Sequence, residues 1–546
     1  MKQKHILIYC LIVVFRMQVF ANDIPAQFDL RNVDGNNYVS TVKAQQGGTC
    51  WAHAAMAAME SNLMRTGTWP LTDVLSEPNL SEYHLDWWNG FNLFYNQDIG
   101  MNPAQGLIVH MGGDYLVTTA YLSRGDGAVR DEDGQSYTFN PLRRETSFHY
   151  YYPRDVEWYQ LKDDLSNIDL IKTQIMTHGA MGTCMYVGTQ FLDDSTNGSF
   201  YQPPDDPNDP NHAIAIVGWS DTIHTAAPAL GAWLCKNSWG SSWGSAWGGN
   251  GYFWISYYDK HAGRHPEMGS ISFQHVEPMP YDTVYYHDYH GWRDTLNVQE
   301  AVNIFIAAGR DSLTAISFFT AADSVHYTAK LYRSRTDVYS DIPRLNHSGF
   351  IAHSGFHTID FDEPAVLMEG DSFYVYLYLD KGGHAYDRTS VIPVLLDVPA
   401  IYTLATELTE VPSRALRNES LYKRSGSWYD LQNIDTTANF CIKALIQKSK
   451  FSRSDEYPDM SGLLGVYPNP VHTGAVIDYQ LSTEAEVNIT LYNLSGKKVK
   501  TLLNTVYPRG YHWIKFDVST LSSGIYICIL KMNGQLRDSQ KMILIK

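Results

Sequence analysis

The stretch around which the rest of this chain is organised reads VKAQQGGTCWAHAAMAAMESNL, from Val42 to Leu63. Its first part is polar and rich in glycine, which predicts a tight loop. From Trp51 onward strong helix formers dominate, and apolar side chains recur at helical spacing until Gly67 provides a stop. The pattern therefore predicts that Cys50 lies on the first turn of a buried helix.

A cysteine at the start of a helix is chemically unusual. The thiolate is the nucleophilic form, and the unpaired N–H groups of a helix N-terminus favour negative charge, so they lower the pKa of the thiol. An isolated cysteine is more often a small buried apolar residue. The residues on either side of Cys50, and two segments further along the chain, favour the nucleophile over that alternative.

Three segments carry a resemblance to one enzyme family. The sequence GTCWA at 48–52 is similar to the nucleophile signature of papain-like cysteine peptidases. Downstream, NHAIAIVGW at 211–219 resembles the histidine strand of that family. KNSWG at 236–240, followed by GNGYF at 249–253, resembles its asparagine segment. The segments occur in the order of the family, and the resemblance covers about residues 24–275. It implies a two-lobed α+β peptidase domain.

The resemblance also implies roles for individual residues. Cys50 would be the nucleophile, and His212 would hold its proton and then give it to the leaving amine. Asn237 would orient the histidine ring. Gln45 would donate its side-chain amide to the developing oxyanion. It lies five residues before the nucleophile, one fewer than in papain, so Gln46 remains an alternative.

Further residues match the family less specifically. Gly112 and Gly113 precede a predicted amphipathic helix and resemble the glycines that bind an extended substrate through main-chain hydrogen bonds. Most glycine pairs are simple turns.

Trp239 would shield the histidine–asparagine bond from water, with ordinary core packing as the alternative. Residues 131–210 match the family poorly, and surface insertions would explain the long interval before His212. The implied partner is a peptide or protein substrate.

Composition limits the other classes of function. The chain has 546 residues, too many for one core, and a net charge of −17, which argues against a nucleic-acid binder. We find no metal-ligand spacing such as His-Glu-x-x-His and no G-x-S-x-G nucleophile elbow, so the sequence predicts no metal and no cofactor. The cysteines are scattered. We expect Cys184 and Cys235 to be buried free thiols rather than a disulfide.

The sequence predicts five segments. Residues 1–21 have a basic start, an apolar run and a small-residue end, as in a secretory signal. The peptidase domain (22–278) would follow with no propeptide between them. Residues 279–446 alternate apolar and polar side chains, which predicts an antiparallel β-sandwich, and they resemble lectin-like domains. Residues 447–462 are a polar linker. Residues 463–546 resemble the small β-sandwich that sorts proteins for type IX secretion.

These observations predict an α+β protein in which a papain-like two-lobed peptidase domain precedes two β-sandwich domains. It would be exported through the periplasm by the type IX secretion machinery to the outer surface or the medium. The predicted function is a secreted cysteine endopeptidase. Two alternatives stay open. One is an exopeptidase of the same mechanism whose cleft is blocked by an inserted loop. The other is a non-catalytic surface adhesin that binds carbohydrate through the lectin-like sandwich, although exposed strand aromatics are explained equally well by sheet packing.

Overall fold

A computed structural model describes residues 24–70, 77–193, 197–392, 409–448, 461–467, 469–472 and 474–546. The predicted signal segment and most of the predicted linker lie outside these described residues. Six α-helices occur within them: α1 (Cys50–Arg65), α2 (Glu82–Trp88), α3 (Tyr115–Ser123), α4 (Asp131–Gly134), α5 (Ile168–His178) and α6 (Arg335–Ser340). Short 3-10 turns lie at Thr189–Phe191, Ser245–Trp247 and Leu431–Asn433.

The strands fall into three groups along the chain. The first group contains β1 (Gln27–Asp29), β2 (Tyr95–Asn96), β3 (Gly100–Met101), β4 (Tyr151–Tyr159), β5 (Met181–Met185), β6 (Leu192–Asp193), β7 (Ser199–Phe200), β8 (His212–Ser220), β9 (Ala232–Lys236), β10 (Tyr252–Ser256) and β11 (Ser270–Pro278). The second contains β12 (Thr283–Tyr285), β13 (Asp294–Leu296), β14 (Glu300–Ile306), β15 (Asp311–Thr320), β16 (Val325–Tyr332), β17 (Leu345–Ile351), β18 (Gly355–Leu367), β19 (Ser372–Leu379), β20 (His384–Asp387), β21 (Ser390–Ile392), β22 (Thr409–Val411), β23 (Ser420–Arg424), β24 (Ser427–Asp430), β25 (Asn439–Phe440) and β26 (Ile442–Lys448). The third contains β27 (Gly462–Tyr467), β28 (Gly474–Leu481), β29 (Ala485–Asn493), β30 (Lys498–Tyr507), β31 (Gly510–Asp517), β32 (Gly524–Met532) and β33 (Gln535–Leu544).

Helix α1 is the buried centre of the first group, and it begins at Cys50 as the sequence predicts. Every residue from Cys50 to Met64 is buried. Its many alanines let other elements approach closely on all sides, so α1 packs against α2, α3 and α5 as well as β5, β8 and β11. Gly67 has a φ of +76° just beyond its end, where glycine adopts a left-handed conformation at little cost. The helix therefore joins the helical part of this region to its sheet.

The sheet on the other side of α1 is antiparallel, with the order β4-β11-β5-β8-β9-β10. Strand β8 is apolar on both faces and is buried along its whole length. Its register against β5 places His212 opposite Met185, the last residue of β5. The histidine is thus the first residue of the strand that the sequence analysis identified with it.

The second group of strands forms the predicted antiparallel β-sandwich. One sheet has the order β17-β16-β19-β14-β23-β24, and the other contains β12-β26-β15-β18. The inward residues of both sheets alternate with outward ones and bury a common apolar core. Together with the first group, this arrangement confirms the predicted fold class.

One strand of the sandwich pairs directly with a strand of the peptidase region. Strand β18 pairs with β4 from Gly355 opposite Glu157 to His357 opposite Asp155. At this junction the Asp155 carboxylate accepts hydrogen bonds from His357 Nδ1 at 3.0 Å and His275 Nδ1 at 2.8 Å. The two regions therefore share one continuous sheet.

The third group forms two further antiparallel sheets, β27-β28-β31 and β30-β29-β32-β33, around a core of its own. Ion pairs connect this unit to the sandwich: Lys515 Nζ lies 2.7 Å from Asp337 Oδ1, and Arg333 pairs with Asp478. Among the helices of the described ranges, none is long and apolar enough to cross a membrane.

Candidate active site

His212 and Asn237 are hydrogen-bonded to each other at the start of β8. His212 Nε2 lies 2.8 Å from Asn237 Oδ1, and this oxygen also accepts the backbone N–H of Ser238 at 2.8 Å. Because an amide oxygen can only accept, the His212 proton is assigned to Nε2. The nitrogen that can take up a proton from a neighbour is therefore Nδ1.

Strand ends and stacked indoles hold these two side chains in place. Asn237 directly follows Lys236, the last residue of β9, which pairs with β8. The Trp239 ring stacks on His212 with centroids 4.7 Å apart and an interplanar angle of 22°. Trp243 packs edge-on against Trp239 at 5.0 Å. The histidine–asparagine bond is consequently shielded from water, which strengthens it.

Cys50 is the first residue of a helix that packs against β5 and β8. It belongs to the same apolar cluster as Cys184 of β5 and Ala213 of β8. Cys184 and Ala213 face each other in the sheet, and Ala213 is the residue after His212. Helix α1 thus begins at Cys50 and packs against the strand that begins at His212.

None of the cysteines in the described part of the chain forms a disulfide, and all of them are buried, as expected for Cys184 and Cys235. Burial raises the pKa of both thiols well above the ordinary value. Since the thiolate is the reactive form, these two cysteines are chemically inert compared with a thiol that is ionised.

Gln45 and Gln46 differ in their hydrogen bonds. The Gln45 Oε1 accepts the Ser238 hydroxyl at 2.5 Å, and its Nε2 donates to Gly47 O at 2.9 Å. An amide NH₂ has two N–H groups, so one donor of Gln45 is left for a ligand. Gln46 is exposed, and its backbone N–H donates to the Tyr83 hydroxyl at 2.9 Å. Gln45 therefore lies against the asparagine segment, whereas Gln46 is exposed.

Gly112 and Gly113 lie beside the nucleophile loop, because Gly48 forms a parallel bridge with Met111. Gly112 has a φ of +99°, which favours glycine. A Cβ at Gly113 would lie 2.5 Å from the Trp51 ring, so close packing also requires glycine there. The following helix, α3, has eight of its nine residues buried. The prediction that it is amphipathic was wrong, because α1, α2 and β4 cover it.

Behind Asn237 lies a buried ionic cluster that sequence analysis missed. Lys43 Nζ lies 2.9 Å from Glu60 Oε1 and 2.6 Å from Glu82 Oε1, and Lys236 Nζ donates to a serine hydroxyl at 2.9 Å. Burial lowers the pKa of Lys236 to about 8, although Glu60 opposes the shift. These charges come from distant parts of the sequence, so no local pattern could group them.

Three family models each match a part of the chain. Residues 24–84 and 111–270 match the papain family of cysteine proteases, 284–446 match a lectin-like domain, and 465–546 match a secretion system C-terminal sorting domain. The fold and these matches define the class: the chain is a papain-type cysteine peptidase with a lectin-like and a sorting domain. Such a peptidase acts on protein substrates, and the sorting domain indicates export to the cell surface or the medium.

Individual proteins resemble this chain more distantly. The cysteine protease and lectin-like domains of Cwp84, a surface layer associated protein of Clostridium difficile, superpose with a TM-score of 0.58 at 20% identity, covering 78% of this chain and 89% of that one. Clostridial Cwp84 after propeptide cleavage gives 0.57 at 21% identity, covering 75% and 97%. Cathepsin Z of Onchocerca volvulus is 24% identical over 242 residues, which are 43% of this chain and 71% of that protein. At these identities the structural likeness shows a shared fold.

Proposed function

We propose that this protein is a secreted cysteine endopeptidase that cleaves peptide bonds through Cys50, His212 and Asn237. The observation that carries the proposal is the 2.8 Å bond from His212 Nε2 to Asn237 Oδ1 under the Trp239 ring, beside the helix that begins at Cys50. This arrangement sets the tautomer of the proposed base, and the proposed nucleophile lies at a helix N-terminus. It supports a resting thiolate–imidazolium pair.

In the proposed reaction the Cys50 thiolate attacks the carbonyl carbon of the scissile bond. His212 donates its Nδ1 proton to the amine, which leaves as the thioester forms. A water molecule then attacks the thioester while His212 takes its proton, and the acid product leaves with Cys50 restored. Asn237 keeps the ring oriented throughout, and an amide suffices because the imidazole is already charged in the resting pair.

The oxyanion of each tetrahedral intermediate needs two donors. The backbone N–H of Cys50 would be one of them, because Cys50 begins α1 and a helix N-terminus favours negative charge. The second N–H of the Gln45 amide would be the other donor, which its hydrogen bond to the asparagine segment supports. Gly112 and Gly113 would bind the substrate backbone, and their position beside Gly48 supports that role.

The experiment that tests this mechanism is labelling with a thiol-reactive peptidyl probe, followed by mass spectrometry of the modified peptide. We expect modification of Cys50 alone. Cys528→Ala, which removes a buried thiol of the C-terminal unit, is the matched control and should label normally. Modification of a different cysteine, or no modification of the wild type, would contradict the proposal.

A second assay separates endopeptidase from exopeptidase activity. A fluorescent peptide that is acetylated at its N-terminus and amidated at its C-terminus offers no free end to an exopeptidase. We expect the wild-type enzyme to cleave this peptide internally, as an endopeptidase does. Cleavage only of peptides with a free terminus would favour the exopeptidase.

The remaining proposals concern the other domains. We infer domain limits at 22–278, 279–446 and 463–546, with 447–462 as linker. The match to a sorting domain supports delivery by the type IX secretion machinery. The lectin-like match supports carbohydrate binding by the sandwich. A glycan array probed with full-length Cys50→Ala protein tests whether the sandwich binds carbohydrate. Absence of binding to any glycan would contradict this proposal.

A further inference from the structure

A carboxylate–imidazole pair outside the proposed triad lies next to the nucleophile loop. Asp86 of α2 accepts a hydrogen bond from the backbone N–H of His110 at 3.3 Å, and its other oxygen is bonded to His110 Nδ1. The Asp86 side chain is 1% exposed and that of His110 is 16% exposed. A buried carboxylate that is bonded twice to one residue restrains both the backbone and the ring of that residue.

His110 in turn holds the loop of residues 45–49. Its carbonyl accepts the Gly48 N–H at 2.8 Å, which makes the bridge between the loop and the strand-like segment before Gly112. A Cβ at Gly47 would lie 2.9 Å from His110 O, so the loop fits directly against this residue. The described part of the chain has no disulfide that could secure the loop instead.

The backbone of His110 adopts a conformation that needs support. Its φ is +65°, in the left-handed region that non-glycine residues rarely adopt. Aromatic rings close the site around it. Tyr137 stacks on the imidazole at 4.0 Å, and Trp87 and Tyr83 pack edge-on at 4.9 and 6.4 Å. The titratable groups that face His110 are therefore Asp86 and the two tyrosines.

We propose that Asp86 and His110 are positioning residues for the oxyanion site. Asp86 fixes His110, His110 fixes Gly48, and Gly48 sets the path of the chain into Cys50 and its backbone N–H. The same bonds align the segment that leads to the substrate-binding glycines. This inference rests on the proposed function, because it assigns the pair a task in the same reaction.

The test compares four variants of the full-length enzyme. Asp86→Ala and His110→Ala both remove the bond between the carboxylate and the imidazole ring. We expect each to lower kcat for peptide hydrolysis by about 10- to 100-fold, since small displacements in a catalytic site are costly. Asp86→Asn can still accept the backbone N–H of His110 through its oxygen and donate its NH₂ to Nδ1 of a neutral imidazole, so it should stay within about 3-fold of wild type. His110→Gly relieves the left-handed strain without restoring the bond, so it should be as slow as His110→Ala.

A second readout distinguishes positioning from loss of structure. Iodoacetamide alkylates the Cys50 thiolate by displacement and needs no oxyanion site. The alkylation rate should therefore stay within about 3-fold of wild type in all four variants. The matched controls are His149→Ala and Asp133→Ala, which break an exposed histidine–aspartate bond of 3.1 Å in the same region. Both controls should keep wild-type kcat.

Three results would overturn the inference. One is an unchanged kcat in Asp86→Ala and His110→Ala. Another is full activity in His110→Gly, which would make the backbone conformation alone responsible. The third is an equal fall of alkylation and hydrolysis, which would indicate a general structural defect. If iodoacetamide does not inactivate the wild-type enzyme, the assignment of Cys50 as the nucleophile is wrong. This outcome is distinct from the other three.

Discussion

At the scale of single residues, the first prediction concerns the three residues of the proposed triad. Cys50→Ala should abolish peptide hydrolysis, and His212→Ala should be nearly as severe. Asn237→Ala should be milder, because orienting the imidazole contributes less than moving the proton. Initial rates with a peptide substrate measure this order, and circular dichroism confirms that each variant is folded. Full activity in Cys50→Ala would exclude the mechanism.

The oxyanion donor gives a second expectation. Gln45→Ala should lower kcat by about 10²–10³ with little change in KM, because its hydrogen bond forms mainly in the transition state. Gln46→Ala should be close to neutral. Ser238→Ala is a matched control: it removes the 2.5 Å bond that holds the Gln45 amide but leaves the donor, so its loss should be smaller. The reverse order for the two glutamines would assign the donor to Gln46.

Local motifs revealed some of these residues and could not reveal others. Cys50, His212 and Asn237 each lie in a run of residues typical of one family, so the sequence alone identified them as candidates. Asp86 and His110 carry no such signal. Their contact depends on a left-handed φ at a histidine and on packing between separate elements, which neither propensity nor periodicity encodes.

At the scale of elements, the junction between β4 and β18 should respond to pH. Burial alone would raise the pKa of Asp155, but hydrogen bonds from His275 and His357 outweigh it and hold the pKa at about 2. An unfolded aspartate has a pKa of about 3.9. Above about pH 4 the carboxylate is ionised in both states and its stabilisation is complete. Between about pH 4 and pH 2 the unfolded chain takes up the proton first, so the stabilisation is lost.

We therefore expect Asp155→Asn to unfold at a lower urea concentration than wild type at pH 6. This gap between the two unfolding midpoints should shrink as the pH falls below about 4. Urea titrations followed by tryptophan fluorescence at several pH values measure this gap. Asp360→Asn is the control, because that carboxylate is exposed and its pair with Arg154 contributes little. A gap that is constant from pH 6 to pH 3 would contradict the assignment.

Sequence analysis did not predict β4, for a physical reason. Pro153 lies within the strand, and proline normally argues against a paired strand because it has no N–H to donate. In the structure Pro153 pairs with β11, two residues before the three that also pair with β18. At the proline, β4 is thus an edge strand, where proline is tolerated. The sandwich strands β14, β15, β16 and β19 contain no proline, and their alternation was sufficient to predict them.

At the scale of the whole molecule, the C-terminal unit should govern export and not catalysis. Deleting residues 463–546 should leave the protein in the periplasm of its host, yet the extracted protein should still cleave peptides, because every proposed catalytic residue lies before residue 279. Cell fractionation followed by activity assays measures both properties. Fusion of 463–546 to an unrelated exported protein should carry it over the outer membrane.

Two outcomes would contradict this expectation. Normal amounts of the truncated protein at the surface would mean that the segment is not a sorting signal. Inactive but folded protein in the periplasm would mean that contacts such as Lys515 with Asp337 support the peptidase from a distance.

The strand pair between β4 and β18 also determines how this protein can be divided. A fragment that ends at residue 278 would leave the β4 backbone from Asp155 to Glu157 without its neighbour. Bare strand edges recruit strands of other molecules, which leads to aggregation. Recombinant peptidase region expressed alone should therefore precipitate at concentrations at which a fragment ending at residue 446 remains dissolved.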